Sequence, residues 1–171
     1  MILQTERLYL REMTYDDRLE LCEILQDKET MYAYEHAFSD EEVDVWMQRN
    51  FDRYRDYGFG LWAVVRRDTD EFLGQTGLSI QRWCDAEVLE IGYLFKRKNW
   101  HKGYATEAAS GCKRYAFEVL KELEVFSIIR DTNDASQRVA ERVGMKKRGQ
   151  FVKSYYGMDM PHYVFSVKRQ Q

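Results

Sequence analysis

Hydrophobic spacing in the first third of the chain predicts one strand near residues 3–12 and a helix over residues 14–27. A second helix follows. It begins with Ser39 and Glu42, three positions apart, the capping-box arrangement in which each side chain accepts the other residue's backbone N–H. This helix ends at Gly58, and its predicted buried face consists of Val43, Trp46, Met47, Phe51 and Tyr54.

The remaining two thirds alternate between strands and helices in an irregular order. Strands are predicted near residues 60–67, 72–81, 87–96, 125–129, 147–154 and 161–168. Helices are predicted near residues 104–120 and 134–143, and Gly144 ends the second as a left-handed cap. The first of them is predicted to bury Ala105, Ala108, Ala109, Cys112, Tyr115, Ala116 and Val119. This order predicts an α/β (α+β) sandwich around one mixed sheet of about seven strands, not a regular βαβ array.

Composition excludes several classes of function. Apolar residues make up 44% of the chain and charged residues 32%, which is typical of a globular protein. One proline and scattered glycines leave no linker, so residues 1–171 are predicted to form a single domain. The formal charge of 26 − 29 = −3 creates no field that would favour binding to nucleic acid or to an anionic membrane.

The cysteines and the N-terminus indicate the compartment. The N-terminus is charged by its sixth residue, unlike a signal peptide, and no apolar run is long enough to span a membrane. Three scattered cysteines without a CxxC pair are typical of a reducing environment, so we expect a cytoplasmic protein. Neither they nor the histidines show metal-ligand spacing, so no metal is expected; the histidines are His36, His101 and His162.

The most informative stretch, residues 96–107, runs from a strand through a basic turn into a helix of small residues. Backbone N–H groups at a helix N-terminus are unpaired and carry the positive end of the helix dipole, so they suit a diphosphate. Gly103 lets phosphate oxygens approach the backbone, Thr106 adds a hydroxyl donor, and Lys98 and Lys102 add charge. The spacing alone fits an anion site or an ordinary strand–turn–helix joint equally well, since it lacks the longer nucleotide-binding fingerprints.

Within this stretch, Trp-His-Lys-Gly-Tyr-Ala at residues 100–105 resembles motif A of the GNAT N-acyltransferase superfamily, Gln/Arg-x-x-Gly-x-Gly/Ala. It is most similar to the RimJ/RimL-like branch, and it departs from that branch at His101, where glycine is usual. Further segments resemble branch motifs in the same order: residues 5–11, 72–77, 133–145 and 157–163. The resemblance therefore covers nearly the whole chain. It implies the GNAT fold, a single, mostly antiparallel mixed sheet flanked by helices and splayed between its fourth and fifth strands.

The resemblance implies acetyl-coenzyme A (acetyl-CoA) as cosubstrate. It assigns the acetyl and pantetheine arm to the backbone of Tyr93, Leu94 and Phe95, where one N–H group would hold the thioester oxygen. The Leu94 and Phe95 side chains are expected in the core. Asn133 matches the asparagine that bonds the pantetheine arm, although helix capping is an ordinary role for this residue. The diphosphate loop is implied to consist of His101, Lys102, Gly103, Tyr104, Ala105 and Thr106.

Two positions in the loop depart from the family pattern. Trp100 stands where many relatives have Gln or Arg, and an indole cannot donate to phosphate as those side chains do, so we expect it to pack. The His101 backbone N–H is the expected ligand, with the imidazole as a second possibility.

Acetyl transfer needs a neutral amine, so an ammonium of pKa about 8–10 requires a base. Glu90 lies on the strand before the loop and could take the proton through water; the alternative is an exposed strand carboxylate. Ser136 matches a branch serine that faces the sulfur and could protonate or solvate the leaving thiolate; the alternative is an ordinary first-turn helix serine.

The usual acid and base positions of the superfamily are altered. Many members have a tyrosine seven residues after the asparagine, where this chain has Ala140. The glutamate that some relatives place five residues before the asparagine is Ile128. Tyr155 and Tyr156 are possible substitutes for the acid, or they pack at the surface.

These features predict an N-acetyltransferase that transfers acetyl directly to a primary amine, without a covalent enzyme intermediate. The branch implies a protein N-terminal α-amine as acceptor, in a monomer or homodimer. One alternative is a small-molecule amine, such as a polyamine, amino acid or antibiotic, held by the aromatic-rich region 31–57. Another is a CoA-binding sensor without catalysis. The acidic helix start, residues 40–44, is a solvated cap or an attractor of a cationic substrate.

Overall fold

A computed structural model describes residues 1–155 and 157–170 of the chain. Within this part, a single sheet of eight strands is flanked by four α-helices. The strands are β1 (Leu3–Gln4), β2 (Leu8–Arg11), β3 (Leu61–Arg66), β4 (Phe72–Trp83), β5 (Ala86–Phe95), β6 (Glu124–Arg130), β7 (Lys146–Tyr155) and β8 (Met158–Lys168). The helices are α1 (Arg18–Leu25), α2 (Asp40–Tyr57), α3 (Tyr104–Glu118) and α4 (Asp134–Arg142).

The sheet diverges in its middle. Its strand order is β1-β2-β3-β4-β5-β6-β8-β7, and neighbours are antiparallel apart from the parallel pair β5 and β6. This pair is in register at Glu90 and Phe126, whereas β4 and β5 stay paired along all of β5. Strands β5 and β6 separate beyond Glu90. This geometry confirms the predicted splay, because β5 and β6 are the fourth and fifth of the predicted strands.

The sheet has one strand more than the prediction because the first strand is divided. The Thr5 backbone N–H donates to the Leu8 carbonyl at 2.9 Å, and the Leu8 N–H donates to the Thr5 hydroxyl at 3.2 Å. These bonds close a turn, so residues 3–4 fold back onto β2 as a separate short strand. The prediction of one continuous strand over residues 3–12 was therefore wrong, although the placement of β-structure there was right.

Helices α1 and α2 cover one face of the sheet. The predicted capping box of α2 is confirmed: Glu42 N–H donates to the Ser39 hydroxyl at 3.2 Å, and Ser39 N–H donates to the Glu42 carboxylate at 2.8 Å. Gly58 ends the helix with a φ of 75°. The buried core on this face consists of Met13, Leu21, Ile24, Leu25, Met31, Val43, Met47, Leu61, Ala63, Val65 and Phe72.

Helices α3 and α4 cover the opposite face. The small residues of α3 let this helix lie close to the sheet, against Trp62, Val64, Leu73 and Ile91 among others. Val119 was predicted in this core but is 58% exposed, because α3 ends at Glu118 and Val119 is its C-cap. Gly144, with a φ of 93°, follows α4 as predicted.

A glycine in β4 lets that strand lie directly against the end of β5. A Cβ atom on Gly74 would come within 2.5 Å of the Leu94 carbonyl oxygen and 2.8 Å of the Phe95 Cα. Any side chain at Gly74 would therefore displace the last residues of β5. The glycine of this strand motif thus fixes the position of the segment that leads into the basic loop.

Candidate active site

The splay between β5 and β6 opens a cleft of about 650 Å³. Its lining comes from these two strands, from β4, from helix α2 with the loop before it, from the first turn of α4, and from one residue each of β3, β7 and β8. Five of the predicted site residues line it together, although they are distant in sequence: Glu90, Tyr93, Leu94, Asn133 and Ser136.

The backbone of Tyr93 faces this cleft. Lys96 N–H donates to the Leu73 carbonyl of β4 at 3.0 Å, which sets the phase of the ladder between the two strands. Since residues in an antiparallel ladder alternate in direction, Leu94 directs its N–H and C=O toward Gln75 of β4. Tyr93 therefore directs its own N–H and C=O away from β4, toward β6.

Side chains occupy the neighbouring carbonyls that face the same way. The Ser127 hydroxyl donates to the Ile91 carbonyl at 2.9 Å, and the Trp100 indole N–H donates to the Phe95 carbonyl at 3.0 Å. The expected packing of Trp100 is thereby confirmed. Between these two positions, the Tyr93 backbone N–H and C=O form no hydrogen bond to any group in residues 1–155 and 157–170. They are the backbone groups of β5 that remain available to a ligand in the cleft.

The N-terminus of α4 lies across the cleft from β5. The Asn133 side-chain oxygen accepts bonds from the Ser136 N–H at 3.1 Å and from the Tyr32 hydroxyl at 2.7 Å. Asn133 is therefore a helix cap, and neither bond uses its amide Nδ2, which keeps two donor hydrogens. The Tyr93 hydroxyl donates to the Ser136 carbonyl at 2.8 Å, and burial raises the pKa of this hydroxyl, so it stays a donor. These bonds hold α4 at a fixed position over the cleft.

The basic loop places a row of unpaired N–H groups at the start of α3. Gly103 is the N-cap, with a φ of 79°, and the first intrahelical bond runs from Glu107 N–H to the Gly103 carbonyl at 3.0 Å. Within the described residues, the N–H groups of residues 103–106 have no hydrogen-bond acceptor, and no side chain caps them. His101 also has a positive φ of 60°. These amides, at the positive end of a 15-residue helix, fit a diphosphate.

Arg7 supports this loop, a role that the sequence pattern did not indicate. Its guanidinium forms an ion pair with Glu107 at 2.7 Å, donates to the Lys102 carbonyl at 3.0 Å and lies 4.6 Å from the centre of the Tyr104 ring. It also lies 3.4 Å from where a Cβ of Gly103 would be. The opening motif at residues 5–11 contained the signal, but a contact across about 100 residues cannot be read from local spacing.

Ion pairs take up part of the positive charge that the sequence predicted beside this loop. Lys98 forms an ion pair with Glu71 at 3.0 Å, so much of its charge is compensated. Lys96 is buried and pairs with Glu20 and Glu23. His101 and Lys102 are exposed beside the unpaired N–H groups. Backbone donors therefore dominate this loop, as the sequence predicted.

Glu90 lines the cleft on the α2 side of the sheet. It is partly buried, so the alternative of an exposed strand carboxylate was wrong. Burial raises the pKa of Glu90 to about 7, and the Ile128 N–H bond and the charges of Lys153 and Arg53 oppose this rise. A carboxylate that titrates near neutral pH takes up and releases a proton readily.

Two other positions, Ala140 and Tyr156, concern the general acid. Ala140 lies on the buried side of α4 and has no titratable group, so this position supplies no acid. Tyr156 lies outside the described residues. Sequence reasoning missed four cations that line the cleft: Arg49 and Arg53 on α2, Arg130 on β6, and Lys153 on β7. Little in the sequence indicated the two arginines of α2, because charged residues on an amphipathic helix usually face solvent.

Two further observations concern the described residues. No group of three or more His, Cys, Asp or Glu side chains is arranged to hold a metal ion in residues 1–155 and 157–170. None of the helices in that part of the chain combines the length and apolar character needed to cross a bilayer.

The chain is similar to known proteins in its sequence and in its fold. The family model for the acetyltransferase (GNAT) domain matches residues 7–146. The uncharacterized protein YkkB of Bacillus subtilis is 37% identical over 144 residues, which are 84% of each chain. The crystal structure of a GNAT-family acetyltransferase from Bacillus anthracis superposes with a TM-score of 0.83 at 24% identity, over 98% of both chains. RimL, a ribosomal L7/L12 α-N-protein acetyltransferase in complex with coenzyme A, has a TM-score of 0.78 at 17% identity, over 98% of both chains.

The chain therefore belongs to the GNAT acetyltransferase family, and it is an acetyl-CoA-dependent N-acetyltransferase. Enzymes of this family act on amine acceptors. The expected fold and the membership of the GNAT superfamily are both confirmed.

Proposed function

We propose that this enzyme acetylates a protein N-terminal α-amine, with Glu90 as the general base. The observation that carries the proposal is the position of Glu90, a carboxylate with a pKa of about 7, in the same cleft as the available backbone of Tyr93. A base that titrates near the working pH deprotonates an ammonium most effectively. RimL, whose fold this chain shares, acetylates a protein α-amine, which supports this class of acceptor.

The residues of this chain fit acetyl-CoA. The N–H groups of residues 103–106 would bind its diphosphate, the Tyr93 backbone would pair with the pantetheine arm, and the Asn133 amide Nδ2 would donate to the same arm. When bound, the cosubstrate supplies the activated acetyl thioester. Gly103 matters here because a Cβ would occupy the space between the loop and Arg7.

Each protein group then has a distinct task. Glu90 accepts the ammonium proton of the acceptor, directly or through water, and leaves a neutral amine. The Tyr93 N–H, which points into the cleft, donates to the oxygen that gains negative charge. The Ser136 hydroxyl lines the cleft near the Asn133 amide and donates to the leaving sulfur.

A small-molecule amine is the second candidate, and one observation favours it. The loop before α2 is tied across the cleft: Arg130 donates to the Tyr32 carbonyl at 3.1 Å and pairs with Glu35, and the Tyr32 hydroxyl donates to Asn133. These bonds narrow the part of the cleft where the acceptor would enter. A short acceptor would pass this loop more easily than the terminus of a folded protein.

An acceptor screen tests the proposal. The protein is incubated with acetyl-CoA and with peptides that have a free N-terminus, the same peptides with a blocked N-terminus, polyamines or free amino acids. Thiol release gives the rate, and mass spectrometry gives the acetylated atom. We expect turnover of the free-terminus peptides and none of their blocked partners. Turnover of small amines alone would contradict the acceptor class, and acetyl-CoA binding without any turnover would support the sensor alternative.

A further inference from the structure

Helix α2 presents two arginines to the acceptor side of the cleft. Arg49 and Arg53 are four residues apart, so they lie one above the other on the same helix face, and both line the cleft. Arg53 is close enough to Glu90 for the charge of each to influence the pKa of the other. A group held by these arginines would therefore lie beside the proposed base.

No ion pair compensates the charges of these two arginines in the part of the chain that the structure describes. Among residues 1–155 and 157–170, neither guanidinium has a carboxylate within 4.0 Å, the limit for an ion pair. Arg53 makes one long bond, 3.5 Å, to the Asn50 side-chain oxygen, which already accepts the Leu61 N–H at 3.1 Å. Burial and the like charge of Arg49 both lower the pKa of Arg53, so the fold holds two cations together at an energetic cost.

Most acidic residues at the start of the same helix are, by contrast, engaged by neighbouring groups. Asp40 and Asp44 pair with Arg18, and Glu42 bonds to His36 and to the Ser39 N–H. Glu41 also lines the cleft, but it lies eight residues before Arg49, about 12 Å along the helix axis. The acidic helix start therefore lies about one to two helix turns or more from the arginines, and the α2 side chain whose charge acts on Glu90 is the cation Arg53.

We propose that Arg49 and Arg53 form a subsite for an anionic group, a carboxylate or a phosphate, carried by the acceptor near its amine. The proposal rests on the proposed function in placing the amine at Glu90. Two guanidiniums on one helix face offer planar pairs of N–H donors, which match the two oxygens of a carboxylate or phosphate. Polyamines, which carry several positive charges and no anion, are repelled by the same pair.

Matched acceptor pairs test the subsite. Each pair differs in one charge: a free amino acid and its amide, phosphoethanolamine and ethanolamine, and a peptide with acidic residues after its free N-terminus and the same peptide with their amides. The quantity measured is the ratio of kcat/KM for the anionic member to that for the neutral member. We expect at least one pair to give a ratio above about ten in the wild type, the range of a charge-assisted hydrogen bond. The pair that does so identifies the source of the anion.

Variants on the same helix provide the control. Arg49→Gln with Arg53→Gln should bring that ratio to near one. Arg55→Gln should leave it unchanged, because Arg55 is exposed, pairs with Asp52 and Asp56, and does not line the cleft. Added salt should lower the wild-type ratio without any substitution, since ions screen a partly exposed charge pair. Equal ratios in the wild type and the double variant, or a preference for neutral or cationic acceptors, would overturn the subsite.

A binding measurement separates this proposal from the proposed function. Calorimetry on the CoA-loaded protein compares N-acetylated amino acids, which are products and need no turnover, with their amides. Tighter binding of the carboxylate form that is lost in the double variant supports the subsite, even if no amine is acetylated. Turnover of amines without any preference for the anionic product would reject the subsite and leave the acetyltransferase activity intact.

Discussion

Replacing Glu90 by Gln tests the proposed base through two linked quantities, activity and pH-dependent stability. Gln retains the shape of the side chain and still accepts the Ile128 N–H, but it cannot take a proton. We expect kcat/KM to fall by about 10²- to 10⁴-fold, the usual contribution of a positioned base. Glu87→Gln is the matched control, because Glu87 lies on the same strand and is exposed.

The pH profile identifies the group that is lost. The base must be ionised, and its pKa is raised to about 7, so wild-type kcat/KM should fall as the pH drops below about 7. The limb near pH 7 should be absent in Glu90→Gln and present in Glu87→Gln.

The stability of the wild type should change with pH in the opposite direction to its activity: the free energy of unfolding should fall as the pH rises. Folding raises the pKa of Glu90 from 4.5 to about 7, so the folded protein binds this proton more tightly than the unfolded chain does. The group therefore begins to destabilise the fold as the pH rises through 4.5, and the effect is complete above 7. At 1.36 kcal/mol for each pH unit, the upper bound is about 3 kcal/mol. Denaturant unfolding at pH 8.5 should show Glu90→Gln more stable than the wild type, with a smaller difference at pH 5.

Two results would refute this reasoning. If Glu90→Gln kept the limb near pH 7 and lost less than about threefold in kcat/KM, another group would be the base. If its stability relative to the wild type did not change between pH 5 and pH 8.5, the carboxylate would not be held in a site that disfavours its charge.

The other predictions concern the cosubstrate, the leaving group and the fold. Gly103→Glu should abolish acetyl-CoA binding in calorimetry, because it adds bulk and negative charge at the unpaired N–H groups; normal affinity would mean that the diphosphate binds elsewhere. Ser136→Ala should lower kcat by about tenfold or more at nearly unchanged KM for acetyl-CoA, since the capping bonds of Ser136 use its backbone; an unchanged kcat would make it a structural serine. Ser39→Ala should lower the free energy of unfolding by about 1 kcal/mol in denaturant titrations, and no loss would mean that the capping box adds little.

Local rules were sufficient for most of the elements. The capping box of α2, the glycine after α4 and the N-terminus of α3 each depend on residues within a few positions of one another, so spacing predicts them. The errors fell where the chain reverses or ends. A short turn at Thr5 divides the first strand, and the end of α3 leaves Val119 exposed. Each of these features depends on the free energy of a single turn or hydrogen bond.

The sequence by itself determined the family, the order of the elements and a loop whose backbone suits a diphosphate. These follow from short-range patterns, because helix ends and strand alternation are properties of neighbouring residues. Only the tertiary structure decided the environment of Glu90, the support of the loop by Arg7 and the position of Arg49 and Arg53 in the cleft. Burial and charge compensation arise from groups that are far apart along the chain, as with Arg7 and Glu107, so no local pattern encodes them. The chemistry of the cosubstrate was thus predictable from sequence, and the chemistry of the acceptor depends on how the sheet and α2 come together.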